Sequence, residues 1–447
     1  MKQLPNEFAQ RMQELLGETY PAFEKSLQES PVKGVKLNRK KGDLTALTET
    51  LWGDPIPYGE KGYYDPVEKI GNHPYHHAGV LYVQEPAAMM PPCTVEIPEN
   101  GVVLDLCAAP GGKSFGLYSK LGEQGILVSN EMIPSRCKIL VGNIERLGFQ
   151  NTVVTCMDSA KIAKVFPKVF DVIMVDAPCS GEGMFRKEEV AITQWSTTNV
   201  ETCAARQSEI LGNARKALKD GGILIYATCT YSVEENESQV AHFLNKHPEF
   251  ELVEVCEEVK SHTADGEMGM PQCRRFYPHV GRGEGQFAAV LKDTTPAPQP
   301  APGFSKKKKS ASPAKIPQVV IDFMKENLQG YNPEYLHMRG DTPIYFPPHF
   351  STEGAKVFAC GVTVGEMKKN YIQPHHQLFS ALGHLFKRKI NFTPNDPLLL
   401  KYLKGEEIPV SCQNGWAVIT VDGFALGGVK VVNGVAKNHY PKGLRLS

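Results

Sequence analysis

The chain has 447 residues, of which 41% are hydrophobic, so it is long enough for two or three compact domains. Its 49 Lys and Arg balance its 49 Asp and Glu, but residues 301–447 hold 19 basic against 10 acidic side chains, whereas residues 1–300 hold 30 against 39. No apolar run of about 18 residues occurs and charges interrupt the N-terminal stretch, so neither a membrane span nor a signal peptide is expected, and a cytoplasmic protein is predicted.

The first 90 residues predict a small α+β domain. An amphipathic helix is expected near residues 7–17, and "VKGVKLN", residues 32–38, has the pattern of a strand. The apolar stretch "GVLYVQEPAAMMPP", residues 79–92, then leads into a more regular region.

Between residues 91 and 293, short apolar runs alternate with helical patterns. The five runs expected to be buried strands are "GVVLDL" (101–106), "ILVSN" (126–130), "TVVTC" (152–156), "DVIMV" (171–175) and "GILIYAT" (222–228). The helical patterns are "PSRCKILVGNIERLG" (134–148), "NVETCAARQSEILGNARKALKDGG" (199–222) and "SVEENESQVAHFLNKH" (232–247), the last opening with Ser232 and Glu235 at capping-box spacing. This alternation predicts a doubly wound α/β sheet, which binds ligands beyond the carboxyl ends of its strands.

Residues 294–315, "TTPAPQPAPGFSKKKKSASPAK", are rich in Pro, Ala, Ser and Lys and predict a linker. Its run Lys306–Lys309 is either a solvated tether or a contact for a polyanion. Beyond the linker, residues 316–447 are basic overall, which agrees with phosphate contact. The stretch "GWAVITVDGFALGGVKVVNGVAKN" (415–438) has the glycine-punctuated strands of a compact β-barrel or sandwich.

The first strand of the predicted sheet runs into a glycine turn, "DLCAAPGGKS" (105–114), that opens a helix. Pro110, Gly111 and Gly112 allow a ligand to approach the backbone closely, and the helix start offers free N–H groups. The spacing matches neither the dinucleotide fingerprint nor the triphosphate-binding loop, because only two glycines precede Lys113.

Acidic residues follow the next three predicted strands: Glu131, Asp158 and Asp176. Glu131 comes 19 residues after Gly112, close to the offset of about 20 at which such sheets hold ribose hydroxyls. Carboxylates repel phosphates, so this set favours a nucleoside with a positive centre, and S-adenosylmethionine fits. Asp158, which Ser-Ala-Lys follows, could equally cap a helix.

The eleven Cys include no C-x-x-C pair and no cluster at metal-ligand spacing, so no metal site is expected and most are interpreted as small buried residues. Cys179 and Cys229 differ, because each follows a predicted strand that ends at the ligand cleft. A thiolate that attacks carbon 6 of a pyrimidine makes carbon 5 nucleophilic enough to take a methyl group. The two thiols therefore indicate pyrimidine methylation, in which one thiol forms the bond and a second group helps to break it. A helix beginning near Ser232 is expected to assist Cys229 electrostatically.

Four motifs between Gly79 and Lys292 resemble the NOL/NOP/Sun (Fmu-type) family of RNA cytosine-5 methyltransferases. They are "DLCAAPGGKS", "DAPCSGEGMFRK", "GGILIYATCTYSVEENE" and "RRFYPHVGRGEGQFAAVLK", in family order. The resemblance implies a Rossmann-like methyltransferase sheet over residues 91–293, and it assigns the attack to Cys229 and product release to Cys179. Without the resemblance, the Pro-Cys dipeptide would suggest Cys179, because DNA cytosine-5 methyltransferases attack through Pro-Cys.

The resemblance also assigns the contacts of S-adenosylmethionine. It implies that Glu131 holds the ribose, that Asp158 lies on the adenine side, and that Asp176 lies near the sulfonium and the target base. The residues implied for the methionine end are Cys107, Ala108, Ala109, Pro110, Gly111, Gly112 and Lys113.

Three residues fit the family's helix after the ribose acid: Arg136, Asn143 and Arg146. A surface or capping role is equally open for Asn143 and Arg146. Departures from the family pattern are small. Many relatives have Asp where this chain has Glu131 and Thr where it has Ser114, and either acid reaches ribose hydroxyls.

Outside the sheet, the resemblance is less specific. Residues 1–90 are similar to the family's small substrate-binding segment, and "GFALGGVKVVNGVAKNHYPKGLRL" (423–446) looks like the PUA-like extension of bacterial members that act on small-subunit ribosomal RNA. The implied substrate is 16S ribosomal RNA or the small subunit, and a monomer is expected. The alternatives are transfer RNA as the substrate, or a non-catalytic RNA-binding assembly factor.

Overall fold

The computed structural model describes residues 4–44, 47, 51–297 and 315–446. Most of the predicted linker, including Lys306–Lys309, lies outside the described residues. No helix in the described part of the chain is both long and apolar enough to cross a membrane.

The described residues of the N-terminal region form three α-helices and a three-stranded antiparallel sheet. They are α1 (Asn6–Leu16), α2 (Tyr20–Ser26), α3 (Pro74–His77), β1 (Gly34–Leu37), β2 (Gly62–Tyr64) and β3 (Leu81–Gln84). The helix expected near residues 7–17 and the strand expected in residues 32–38 are confirmed. The buried ring of Phe8 on α1 packs edge-on against Phe185 and Trp195 of the following region, which fixes α1 beside that region's loops.

The central region alternates strands and helices as predicted, and all five expected strands are present. Its strands are β4 (Val102–Asp105), β5 (Ile126–Asn130), β6 (Thr152–Thr155), β7 (Phe170–Asp176), β8 (Leu218–Thr228), β9 (Phe250–Val253), β10 (Ala264–Asp265), β11 (Arg274–Phe276) and β12 (Gln286–Asp293). Its helices are α4 (Gly112–Lys120), α5 (Pro134–Leu147), α6 (Ser159–Val165), α7 (Glu189–Gln194), α8 (Thr197–Ala217), α9 (Glu237–Lys246) and α10 (Glu257–Lys260).

Five parallel strands in the order β6-β5-β4-β7-β8 form the centre of the sheet, and β12 continues it antiparallel to β8. Neighbouring strand residues pack on opposite faces: Val103 joins a core with α4 and α5, and Leu104 joins a core with α6, α8 and α9. The predicted doubly wound α/β sheet is confirmed. Because the strand order reverses between β4 and β7, a ligand cleft is expected at the carboxyl ends of these two strands.

The end of α8 differs from the prediction. The helix ends at Ala217 and not at the Gly221-Gly222 pair. Leu218 is already paired with Phe170 as the first residue of β8, and it is fully buried. The glycines therefore lie within the span of β8, at the register shift between the pairs Phe170–Leu218 and Val172–Ile223, where Gly221 has a φ of 73°.

The start of α9 also differs. The helix begins at Glu237, and the predicted capping box between Ser232 and Glu235 does not form. The Ser232 hydroxyl donates instead to Glu234, and the Glu235 carboxylate is buried in the protein. The expected help to Cys229 from a helix start near Ser232 is therefore wrong.

The C-terminal region is a mixture of small sheets and short helices. Its helices are α11 (Gln318–Asn327), α12 (His376–Leu382) and α13 (Pro397–Leu403). Its strands are β13 (Leu336–Arg339), β14 (Thr342–Tyr345), β15 (Val357–Cys360), β16 (Val362–Thr363), β17 (Gly365–Met367), β18 (Ile372–Pro374), β19 (Lys389–Phe392), β20 (Ile408–Pro409), β21 (Gly415–Val421), β22 (Phe424–Val432) and β23 (Val435–Asn438). The strands expected in residues 415–438 are confirmed as the meander β21-β22-β23.

The C-terminal region packs closely on the rest of the protein. Strand β15 pairs antiparallel with β6, so it extends the central sheet at its edge. One hydrophobic core contains residues of both the N-terminal region and the five-stranded C-terminal sheet. In addition, the Tyr75 hydroxyl donates to Asp422 at 2.6 Å. The two ends of the chain therefore form one continuous body beside the central sheet.

Candidate active site

The glycine turn after β4 lies at the carboxyl edge of the sheet, and α5 fixes its backbone. Arg136 donates to the carbonyl oxygen of Ala109 at 2.8 Å, and Asn143 donates to that of Pro110 at 2.9 Å. Gly111 has a φ of 118°, which side chains rarely adopt. The turn therefore has a defined shape, and two of the three α5 residues expected near the cofactor act on it through its backbone.

The other side of the turn packs on the N-terminal region. A Cβ on Gly112 would lie 2.9 Å from the Gln84 side-chain nitrogen and 3.2 Å from the Tyr82 ring, so any side chain here would have to displace the Gln84 amide. The Ala108 N–H donates to the carbonyl of Asn130 at 2.8 Å. Burial raises the pKa of the Cys107 thiol, and nearby carboxylates raise it further, so this sulfur stays protonated.

Glu131 is buried at the end of β5, with 4% of its surface exposed. One carboxylate oxygen accepts from the N–H of Ile133 at 2.9 Å, and the other lies 3.1 Å from Arg136. Asp158 follows β6 and accepts from the N–H of Lys161 at 2.7 Å as the N-cap of α6. The capping role considered for Asp158 therefore occurs, and its contact with adenine stays a prediction.

Lys113 and Asp176 form an ion pair across the switch point, with 2.9 Å between the ammonium nitrogen and a carboxylate oxygen. Burial lowers the pKa of Lys113, but Asp176, Cys229 and Asp105 together outweigh burial and leave that pKa raised. Lys113 is therefore a cation that lies near both a strand-end carboxylate and one of the two thiols. The sequence analysis assigned Lys113 only to the methionine end of the cofactor.

Asp105 is the last residue of β4 and is fully buried. The Ser114 hydroxyl donates to one of its oxygens at 2.7 Å, and the other oxygen has no hydrogen-bond partner among the described residues. Burial raises the pKa of Asp105 to about 7. This carboxyl group therefore takes up a proton on folding.

We expect Asp105→Asn to stabilise the ligand-free protein above pH 7. Folding raises the pKa of the Asp105 carboxyl group from 3.8 to about 7. The free energy of unfolding therefore falls progressively as the pH rises through that interval. The full loss is roughly 4 kcal/mol above pH 7. Thermal unfolding should show variant and wild type equally stable near pH 4 and the variant more stable at pH 8; equal stability at pH 8 would contradict the assignment.

The thiols of Cys179 and Cys229 meet at the carboxyl edge, with 3.3 Å between the two sulfur atoms. Cys179 lies three residues beyond the end of β7, and Cys229 directly follows β8. Both are free cysteines that are neither fully buried nor fully exposed. The hydrogen bond with Cys229 and burial raise the pKa of Cys179 well above its usual range, so Cys179 is a thiol that can donate to its neighbour.

The Glu182 carboxylate connects the two loops that carry Cys179 and Cys229. Its carboxylate accepts from the Thr230 hydroxyl at 2.8 Å, from the Tyr231 N–H at 2.9 Å and from the Trp195 indole at 2.8 Å. The hydroxyls of Ser180 and Thr230 lie 2.8 Å apart and complete the link. Ser180, next to Cys179, is therefore linked to Glu182 through the Thr230 hydroxyl, next to Cys229, and this chain of bonds holds the two cysteine-bearing loops together.

Glu235 supports the Cys179 turn from the other side. Its carboxylate accepts from the Ser180 N–H at 3.0 Å and from the Gln207 amide at 2.8 Å, and Gln207 donates to the carbonyl of Pro178 at 3.0 Å. Burial raises the pKa of Glu235 to about 7. The sequence analysis assigned Glu235 to a helix cap and missed Glu182. The sequence signal for Glu182 and Glu235 was the presence of acidic residues inside segments that otherwise have the composition of a buried loop.

Two buried ion pairs secure the same loops to the fourth family-like motif. Arg275 pairs with Glu237 and also donates to the Tyr231 carbonyl at 2.7 Å. Arg186 pairs with Glu284 at 2.9 Å. Each pair is almost wholly buried, so removing one partner alone would leave an uncompensated charge in the interior.

Arg146 is not directed at the glycine turn. Its guanidinium donates to the carbonyls of His76 at 2.9 Å and Leu81 at 3.1 Å, and it contacts the Asn143 side chain at 3.3 Å. Arg146 therefore joins α5 to the N-terminal region, and because it is 8% exposed it does not have the surface role that was left open for it. Among the described residues there is no group of three or more His, Cys, Asp or Glu that could hold a metal ion.

Comparisons with known proteins match three parts of the chain. The model of the family described as 16S rRNA methyltransferase RsmB/F matches residues 92–292. The N-terminal domain of 16S rRNA methyltransferase RsmF matches residues 4–86, and the methyltransferase RsmF PUA domain matches residues 389–446.

Similar curated proteins cover most of the chain. Ribosomal RNA small subunit methyltransferase F of Vibrio vulnificus is 31% identical over 420 residues, which cover 90% of this chain and 88% of that protein. The protein of the same name from Klebsiella pneumoniae is 29% identical and covers 87% of this chain and 84% of its own length. The crystal structure of NSun6 from Pyrococcus horikoshii with SFG is 21% identical, with a TM-score of 0.60, and covers 66% of this chain and all of its own. This last similarity supports the fold.

Proposed function

The chain belongs to the 16S rRNA methyltransferase RsmB/F family, and from this premise we propose that it methylates carbon 5 of cytosine in small-subunit ribosomal RNA. The observation that carries the proposal is the 3.3 Å separation of the Cys179 and Cys229 sulfurs beside the Lys113–Asp176 ion pair. Two thiols that meet at the switch point of a doubly wound sheet are suited to reversible addition to a pyrimidine ring.

The cofactor of this family is S-adenosylmethionine, and the residues present fit it. It supplies a methyl group on a positively charged sulfur. Glu131 is positioned to accept from ribose hydroxyls, and the turn from Cys107 to Lys113 offers backbone groups to the methionine end. The buried Asp105 oxygen has no hydrogen-bond partner among the described residues, and the partly exposed Asp176 carboxylate lies at this edge of the sheet, where it can face a positive centre.

Cys229 is the proposed nucleophile. Its sulfur adds to carbon 6 of the cytosine, and the electron pair released towards carbon 5 then takes the methyl group. The Lys113 ammonium and the Cys179 thiol both lie where they stabilise a negative charge on the Cys229 sulfur. Lys113 and Cys179 therefore give Cys229 the electrostatic assistance that was expected from a helix start near Ser232.

Release requires loss of the carbon-5 proton and cleavage of the bond between carbon 6 and sulfur. Asp176, which Lys113 holds at the cleft, is a carboxylate available to accept this proton. The electron pair of the breaking bond returns to the Cys229 sulfur. Cys179, which stays protonated because its pKa is raised, donates a hydrogen bond to that sulfur and so assists its departure.

The regions outside the sheet are proposed to bind RNA. We assign residues 1–90 to substrate binding, 91–293 to methyl transfer, 294–315 to a linker, and 316–447 to a basic RNA-binding region with a PUA-like domain. The target cytosine must be unstacked before a sulfur can reach carbon 6, which favours a loop or an open helix in the RNA. Action as a cytoplasmic monomer remains a prediction.

The test is incubation of the protein with labelled S-adenosylmethionine and either ribosomal particles from successive assembly stages or bulk transfer RNA, followed by mapping of the modified nucleotide. We expect 5-methylcytosine in the small-subunit RNA. A deletion strain should lack the same modification. Label in transfer RNA and not in ribosomal RNA would show that transfer RNA is the substrate. Absence of label from both would support the alternative of a non-catalytic assembly factor.

A further inference from the structure

A cavity of about 420 Å³ lies where the N-terminal region, α5 and the C-terminal end meet. Its polar lining comes from His76 and His77 of α3, Asn143 and Arg146 of α5, and Tyr440 and Arg445 near the C-terminus. None of the proposed catalytic residues lines it. The N-terminal and C-terminal regions around it share one core, and Arg146 joins α5 to the N-terminal region, so the cavity is preformed.

The cavity carries positive charge without a matching carboxylate. Arg146 is only 8% exposed, and its described hydrogen-bond acceptors are two backbone carbonyls and one amide. Burial lowers its pKa to about 10, which leaves it charged at neutral pH. Arg445 donates to the Tyr440 carbonyl. No Asp or Glu occurs among the described lining residues, and a buried cation without an anion is costly.

Two imidazole nitrogens in the same wall also lack partners. The His77 Nδ1 lies 2.8 Å from the Tyr440 hydroxyl, but its Nε2 is buried without a hydrogen bond, and so is the Nδ1 of His76. Burial and the nearby Arg146 lower the pKa of His76 to about 3 and that of His77 to about 4. Both rings are therefore neutral, and their unpaired buried nitrogens are a cost in the ligand-free protein.

One face of α5 leaves room for the rest of such a ligand. Ile139, Gly142, Asn143 and Arg146 recur at helical spacing and all line the cavity. The Ile139 side chain is 57% exposed, and a Cβ on Gly142 would meet nothing within 4 Å. An apolar surface next to two guanidiniums matches a sugar or base attached to a phosphate.

We propose that this cavity binds a backbone phosphate of the substrate RNA, with the adjoining nucleoside against Ile139 and Gly142. The inference rests on the proposed function for the identity of the RNA. Asn143 lines the cavity and also holds the Pro110 carbonyl of the glycine turn. A bound phosphate would therefore hold the RNA close to the proposed cofactor site, with the Asn143 side chain between the two.

Three substitutions of Gly142 test the proposal without removing a structural contact. Gly142→Glu places a carboxylate next to the guanidiniums, Gly142→Gln is its neutral match in size, and Gly142→Lys adds a positive charge. All three replace a glycine inside a helix by a better helix former, so folding should be preserved. Binding of a 16S RNA transcript is measured against salt concentration, together with methyl transfer by the same proteins.

We expect Gly142→Glu to weaken RNA binding by about tenfold and to lower the salt slope by about one phosphate contact. Gly142→Gln should bind RNA more tightly than Gly142→Glu, and Gly142→Lys should bind at least as tightly as wild type. Equal RNA affinity of all three variants and wild type would overturn the proposal. Equal weakening by Gly142→Glu and Gly142→Gln would also overturn it, because it would show that the added side chains exclude RNA by their size and not by their charge.

Inorganic phosphate provides a second arm. If it binds wild type but not Gly142→Glu while RNA affinity is the same in both, the cavity takes a free anion and the proposal fails. Methylation by wild type is scored separately. RNA binding that responds to Gly142 in a protein that methylates no ribosomal RNA would support the cavity and contradict the proposed function.

Discussion

A Cys229→Ala variant is expected to lose methyl transfer by about a thousandfold or more while it still binds RNA. A Cys179→Ala variant is expected to accumulate a covalent protein–RNA adduct. The difference follows from the paired sulfurs: removal of Cys229 removes the atom that bonds to carbon 6, whereas removal of Cys179 removes the hydrogen bond that assists the departing sulfur. One substitution prevents the bond from forming, and the other prevents it from breaking.

The measurement is a denaturing gel with labelled RNA, run beside a methyl-transfer assay and an RNA-binding assay. Cys412→Ala is a suitable control, because Cys412 is a partly exposed free cysteine of the C-terminal region and should leave all three results unchanged. An adduct in Cys229→Ala that is absent from Cys179→Ala would reverse the two roles. Full activity in Cys229→Ala would rule out the covalent route.

The sequence predicted the central sheet and the place of the site because both depend on local patterns. Buried strands are short and apolar, and Glu131, Cys179 and Cys229 follow such runs directly or within a few residues. The carboxyl ends of parallel strands meet at one edge, so residues that follow the strands meet there as well. Which thiol attacks came only from the family resemblance, because both cysteines have the same strand-end setting.

The parts that the sequence did not predict depend on contacts between distant segments. Glu182 and Glu235 hold the cysteine loops through bonds to Thr230 and Ser180, about 50 residues away. These contacts form only when the folded sheet brings the two loops together. The spacing of neighbouring residues therefore predicted a helix cap for Glu235 instead. Strand β15 joins β6 across about 200 residues, and no pattern in residues 357–360 specifies that edge.

Lys113→Met is expected to slow the chemical step by about a hundredfold without weakening binding of S-adenosylmethionine. The variant keeps most of the length of the side chain but removes the ammonium that neutralises Asp176 and interacts with Cys229. The attacking sulfur then loses a fixed positive charge, whereas a positively charged donor finds a more negative pocket. The reaction rate should fall, the KM for the donor should not rise, and the rate should reach its plateau at a higher pH than in wild type.

This split between rate and donor affinity separates two roles for Lys113. If the lysine served only to hold the methionine end, Lys113→Met would raise the KM and leave the pH profile in place, and the proposed electrostatic role would be wrong. Lys120→Met is the matched control, because Lys120 is on the same helix and its ammonium donates to the Val95 carbonyl.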